Sequence, residues 1–242
     1  MSPLPFKRLL IKISGEALTG AGSYGIDGAK LGEIAIDLAE VSESGARLAV
    51  VIGGGNIYRG LAGSSNGIDR VKGDFMGMLA TVMNGVALQD ALLRHGRSAS
   101  LYSGLRVPEV CRTFSRDEAK ADMDRGWIAV LAGGTGSPFF TTDTTAALRA
   151  AELDCDAILK ATQVDGIYSE DPKLNPKAKR YDRLTFSDIL AQDLKVMDAA
   201  AIAIARDNAI PIVVFSLHQK GAIGKLLRGE APCSVVGNGS AA

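Results

Sequence analysis

Short apolar runs that stop at glycine, each followed by a segment of helical period, leave this chain few architectures. Residues 9–14 (LLIKIS) form a β-rich run ended by Gly15, and Asp27 then caps a segment in which Leu31, Ile34, Ala35, Leu38 and Val41 recur at helical spacing. Residues 47–52 (RLAVVI) give a second strand ending in Gly53, Gly54 and Gly55, and a long helical pattern runs from about Asp74 to His95. Residues 98–101 read as a strand, Ser115 with Glu118 as a capping box for a helix reaching Arg125, and residues 127–131 as a strand closed by Gly133, Gly134 and Gly136. An alanine-rich helix is expected over 144–153, a strand over 157–161, and a functional loop in the polar stretch through Pro176. A helix over 194–208, a strand over 210–215 and a short helix over 221–227 complete the series. This alternation predicts an α/β fold: one continuous domain over 1–242, with a mainly parallel sheet covered on both faces and ligands at the strand C-termini. Residues 1–6 and 237–242 are expected to be flexible tails.

Composition narrows the function. The chain has 242 residues, 47% of them hydrophobic, and 27 basic residues balance 27 acidic ones. That leaves no broad positive field to hold a nucleic-acid backbone. Cys111, Cys155 and Cys233 form no CxxC pair, which argues against a disulfide framework and a structural zinc site and for a reducing, cytoplasmic setting. The first ten residues contain no long apolar stretch, so neither a signal peptide nor a membrane anchor is expected. His95 and His218 are far apart and enter no catalytic arrangement, which leaves them surface or helix-end roles.

Nucleotide chemistry, if present, does not use the commonest signatures. A GxGxxG match at Gly20, Gly22 and Gly25 stands several residues beyond its strand, and GxxxxGK[ST] is absent. Instead, three glycine turns (Gly15, Gly53 to Gly55, Gly133 to Gly136) fall at strand ends, where they either form tight turns or bring backbone N–H groups to phosphate oxygens. Their joint placement at one sheet edge favours phosphate. Lys12 interrupts an apolar strand on the face of Leu10 and Ser14; it either pairs with a buried carboxylate or points a cation at transferring phosphates, and the second is favoured. Arg59 is a second cation beside a glycine turn, where a solvated role is also open. Asp74, Asp143, Asp165, Asp171 and Asp198 stand near these loops or at helix starts, where each alone more commonly caps or turns. Thr141, Thr142, Thr144 and Thr145 either donate to phosphate or cap a helix, and Met76, Met78 and Met83 are expected to fill core.

Together these residues resemble the bacterial UMP kinase branch of the amino acid kinase family over about residues 7–236. The carriers are KISGE from Lys12, GGGNIYRG from Gly53, GDFMGMLATVMN from Gly73, GTGSPFFTTD ending at Asp143, LKATQVDGIY ending at Tyr168, and LKVMD ending at Asp198. The resemblance implies a three-layer αβα sandwich of the carbamate kinase-like type, with ATP and UMP end to end over the strand C-termini and a homohexameric assembly. It implies ATP contacts from Lys12, Ser14, Gly15, Gly55, Arg59, Thr162, Tyr168 and Asp171. It implies UMP contacts from Gly54, Asp74, Thr135, Gly136, Ser137, Pro138, Phe139, Phe140, Thr141 and Thr142. Lys12 and Arg59 would be catalytic, with Asp143 or Asp198 orienting the lysine, and Mg2+ would be held mainly through the ATP phosphates. Gly20, Ala21, Gly22, Ser23, Tyr24 and Gly25 match a loop where relatives bind GTP as activator, and UTP would inhibit. Gln163 departs from the pattern, where Lys or Asn is expected. Two alternatives are another kinase of the same fold, for acetylglutamate, aspartate or carbamate, and a non-catalytic oxyanion store; PFFTTD and the retained Lys12 and Arg59 speak against them.

Overall fold

The computed structural model describes residues 6–58, 67–172, 174–217 and 219–239, so Arg59 and His218 lie outside the described residues. The strands are β1 (Arg8–Ile13), β2 (Arg47–Ile52), β3 (Ala99–Ser103), β4 (Arg112–Thr113), β5 (Ile128–Ala132), β6 (Ala157–Thr162), β7 (Ile167–Tyr168), β8 (Arg180–Tyr181), β9 (Arg183–Thr185), β10 (Ile212–Ser216) and β11 (Cys233–Gly237). The helices are α1 (Gly28–Glu43), α2 (Arg70–Arg94), α3 (Arg116–Asp124), α4 (Thr142–Glu152), α5 (Phe186–Ala191), α6 (Ala199–Asp207) and α7 (Ala222–Leu227), with a 3-10 turn at Gly15–Leu18.

Among the described residues one sheet runs in the order β4-β3-β5-β2-β1-β6-β10-β11-β9, and β7 pairs with β8 separately. Its neighbouring strands are parallel except for β10 and β11. Period-two alternation divides β1 between two cores. Leu9, Ile11 and Ile13 pack toward α1, α2 and α7 through Leu38, Leu88 and Ile223, whereas Leu10 packs with Ala146 and Ala150 of α4 and Ile202 of α6. This is the expected sandwich of helix layers on a mainly parallel sheet. Lys12 shares the face of Leu10 and therefore looks toward α4. β1 also lies where the topology switches, since β2 flanks it on one side and β6 on the other. The crevice beyond the C-terminal ends of such strands is where α/β folds receive ligands.

Several boundaries differ from the sequence reading, each for a local reason. α2 starts at Arg70, because Asp69 accepts from the Lys72 N–H and caps it one turn before Asp74. The helix expected from residue 194 starts at Ala199, where Asp198 accepts from the Ala201 N–H. Ser115 is the N-cap of α3 but its side chain makes no capping bond; the reciprocal capping box is at Thr185 and Asp188 of α5 instead. Phe6 packs against the core and Gly237 pairs with Thr185, so the order reaches into both expected tails. Met78 is buried, but Met76 and Met83 are exposed on α2, together with Phe75, Leu79 and Val86. α2 is long and apolar enough to cross a membrane by length and composition, yet half of its most apolar window is buried within the chain, as in a core helix.

Candidate active site

Lys12 and Lys160 are register partners on the adjacent parallel strands β1 and β6. Both face the first turn of α4, and both ammonium groups converge on Asp143. Lys160 Nζ donates to Asp143 Oδ2 at 2.7 Å and also to the Val196 carbonyl. Lys12 Nζ stands 3.0 Å from Oδ1, its single contact with the carboxylate. The three side chains are only 12–16% exposed, so the charges act in a weakly screened space. Burial opposes ionisation of Asp143, but Lys12 and Lys160 outweigh it and hold the carboxyl below its ordinary value. Burial pulls Lys160 below the ordinary lysine value, with Asp143 opposing and Lys12 adding to that pull.

The second aspartate does different work. Asp198 accepts from the Thr144 hydroxyl at 2.8 Å and from the Thr141 hydroxyl, as well as capping α6. Thr141 in turn caps α4 by accepting from the N–H groups of Asp143 at 3.0 Å and Thr144 at 3.4 Å. The carboxylate beside Lys12 is thus that of Asp143, and Asp198 ties the N-termini of α4 and α6 together. Two lysines and a helix N-terminus in one crevice are suited to receive a polyanion.

The glycine turns close around this centre. A Cβ on Gly15 would collide with Asn56 Oδ1 and lie 2.8 Å from the Gly55 nitrogen, so the β1 turn nests against the β2 turn only as glycine. α2 holds the turns from behind. Asn84, fully buried, donates to the Gly53 carbonyl at 2.7 Å and to Asn56 Oδ1 at 2.7 Å, while the Thr81 hydroxyl accepts from the Gly133 N–H at 2.7 Å.

Two cavities lie near this centre; Lys160 is in the wall of one, and Lys12 and Asp143 are in the wall of neither. One of about 670 Å³ is lined by Lys160, Thr162, Tyr168, Asp171, Leu194 and Val196, among others. The other, of about 500 Å³, has Gly54, Gly55, Arg70, Asp74, Thr141 and Thr142 in its wall. Of the expected UMP residues, Gly54, Asp74, Phe140, Thr141 and Thr142 line this second cavity; Thr135, Gly136, Ser137, Pro138 and Phe139 form the adjoining loop but are not in its wall. Gly55, expected on the ATP side, lines the second cavity too. Thr162, Tyr168 and Asp171 share the first, where the Tyr168 hydroxyl donates to Asp165 at 2.6 Å and is raised above the ordinary tyrosine value by that bond. Ser14, Gly20 and Gln163 line a smaller recess of about 240 Å³ between β1, β6 and α1. In the loop from Gly20 through Ala21, Gly22, Ser23 and Tyr24, the last residue, Gly25, donates from its N–H to the Asn56 carbonyl at 2.8 Å, which docks the loop on the β2 turn; Tyr24 is exposed.

Two further residues belong to this neighbourhood and went unnoticed in the sequence. Lys160 repeats in β6 the signal of Lys12, a lysine in an apolar strand. Arg70 grips Asp74 with Nε at 3.0 and 2.9 Å from its two oxygens and lies 5.6 Å over the Phe139 ring. Asp74 Oδ2 accepts from the Phe139 N–H at 2.8 Å. These contacts hold Phe139 at φ 71°, a backbone conformation side chains rarely adopt.

The model of the amino acid kinase family matches residues 7–216. The uridylate kinase of Brucella anthropi is 52% identical over 231 residues, which cover 96% of this chain and 96% of that protein. The uridylate kinase of Bartonella henselae is 51% identical, with 96% of this chain and 98% of that protein covered. Among solved structures, UMP kinase from Ureaplasma parvum superposes with a TM-score of 0.92 at 36% identity, covering 97% of this chain and 100% of that one. UMP kinase from Bacillus anthracis gives a TM-score of 0.93 at 35% identity, with 98% of each chain covered.

Proposed function

We propose that this chain, which belongs to the amino acid kinase family, is a UMP kinase that transfers the γ-phosphoryl group of ATP to UMP, giving UDP and ADP. The carrying observation is the Lys12–Asp143–Lys160 cluster at the C-terminal ends of β1 and β6, with Lys160 in the wall of one cavity of nucleotide size and Thr142, the neighbour of Asp143, in the wall of another. ATP occupies the cavity of Thr162, Tyr168 and Asp171, and UMP the cavity of Asp74, Phe140, Thr141 and Thr142. An oxygen of the UMP phosphate bonds to the γ-phosphorus as the bond to the β–γ bridging oxygen breaks, and the electron pair leaves with ADP. Such a transfer needs in-line positioning and cationic stabilisation more than a base. Lys12 supplies the cation, with Ser14, Gly15 and Arg59 on the phosphate path. Among the described residues no cluster of three His, Cys, Asp or Glu side chains forms a metal cage. Mg2+ would be held mainly through the ATP phosphates, where it would supply charge neutralisation.

Regulation and assembly complete the reading. GTP activates through the loop of residues 20–25, whose docking on Asn56 gives it a route to the Gly53 to Gly55 turn; UTP inhibits. The exposed apolar side chains of α2 suit contact with a second copy of the chain within a homohexamer. The setting is cytoplasmic. The test is a coupled assay of ADP release with ATP and Mg2+, comparing UMP, CMP, acetylglutamate and no acceptor, each with and without GTP. UMP-dependent turnover raised by GTP is expected; silence with every acceptor despite ATP binding would replace the kinase by a binding role.

A further inference from the structure

We propose that Lys160 is a positioning residue for phosphoryl transfer, fixing Asp143 in place so that Lys12 can leave that carboxylate for the transferred phosphoryl group. The inference rests on the kinase reading above. Its starting point is the unequal way the two lysines hold one carboxylate. Lys160 is anchored twice, by a directed bond to Asp143 Oδ2 at 2.7 Å and by the Val196 carbonyl. Lys12 meets Asp143 through the single 3.0 Å contact with Oδ1, with no second anchor among the described residues of the kind that Val196 gives Lys160. Lys160 is thus built in, and Lys12 is the partner that can be released.

The energetic consequence follows from burial. Asp143 is 16% exposed. Were Lys12 its sole cation, each excursion of Lys12 toward phosphate would strand a buried anion, a severe penalty. With Lys160 in place the carboxylate stays paired whichever way Lys12 points. The register of β1 and β6 sets the two ammonium groups side by side, so this substitution needs no backbone movement. Val196, the other anchor, lines the same large cavity as Lys160, which places the fixed lysine on the wall of the ATP side.

The test compares kcat and KM for K160M, K160R, K12A and the double variant K12A/K160M in the ADP-release assay with UMP. K160M is expected to lose about 10–100-fold in kcat, with KM for UMP held within about threefold. K160R, which keeps a cation on Asp143, should recover most of that loss. The double variant should be no slower than K12A alone, because Lys160 acts only by freeing Lys12. An unchanged kcat in K160M, or losses that multiply in the double variant, would overturn the proposal. Should K160M fail to fold by circular dichroism, K160Q takes its place, and equal kcat in K160Q and K160R would overturn it. Absence of UMP-dependent turnover in the unsubstituted chain would instead remove the kinase reading itself.

Discussion

Replacing Asp143 by Asn leaves two ammonium groups facing a neutral amide, and the loss can be worked from the geometry. At separations of 3.0 and 2.7 Å, each ion pair has a gross attraction of about 5–6 kcal/mol at an effective dielectric near 20. Most of that offsets the desolvation of groups exposed by only 12–16%. The net cost of removing one partner from a buried pair is about 3–5 kcal/mol. The pH dependence carries the sharper test. In the intact chain Asp143 titrates below its unfolded value, so its contribution is present above the unfolded pKa and is lost as pH falls through the folded one. Lys160 titrates below its unfolded value as well, so the unfolded chain binds more protons and stability rises with pH between the folded and unfolded lysine values. Without Asp143, the main influence raising Lys160, that window widens downward. Urea melts at pH 7 and pH 9.5 should therefore show D143N destabilised at neutrality and partly restored in alkali. A deficit that is absent at pH 7, or equal at both pH values, would refute the reasoning.

Three further outcomes follow. Lys12→Ala should lower kcat by about 10²–10³-fold with an unchanged circular dichroism spectrum, since a group stabilising transferred charge is removed without disturbing a core contact; near-normal kcat would dismiss Lys12 as the charge neutraliser. Arg70→Ala should raise KM for UMP about tenfold while KM for ATP stays put, because Asp74 and Phe139 lose the guanidinium that positions them, worth about 1.4 kcal/mol; a shift in the ATP constant instead would contradict the division of the cavities. The pair Leu79→Glu and Met83→Glu, on the exposed face of α2, should reduce the mass of the assembly in light scattering while the monomer's helix content is kept; an unaltered mass would place the subunit contact elsewhere.

The sheet was readable because its core strands are short apolar runs, β1, β2 and β5 among them ending in glycine turns. What escaped reading were β4, β7, β8, β9 and α5, too brief for any period to emerge, and the five-residue β11, which pairs antiparallel with β10. In the site, the face that Lys12 takes was legible from alternation, but the structure pairs it with a buried carboxylate, the reading placed second, and the choice between Asp143 and Asp198 was not legible, since both stand at helix starts and only packing shows which one faces β1. Lys160 was within reach, because it breaks an apolar strand just as Lys12 does; its role depends on the β1–β6 register, which no local pattern carries. Arg70 was hidden by a helix start set four residues too late. Arg59 lies outside the described residues, so its place on the phosphate path is carried by the sequence alone.

The hydrogen bonds that α2 makes through Thr81 and Asn84 have a mechanical consequence. Gly53 and Gly133 belong to different strands, yet both are fastened to one rigid rod less than a turn apart along its length. A slide or roll of that rod must carry the two turns as a pair or break buried bonds that have no water to replace them. The opposite side of the same rod presents Leu79 and Met83 to solvent. One helix therefore joins the apolar side that it leaves exposed to both glycine turns of the site, across no more than its own diameter.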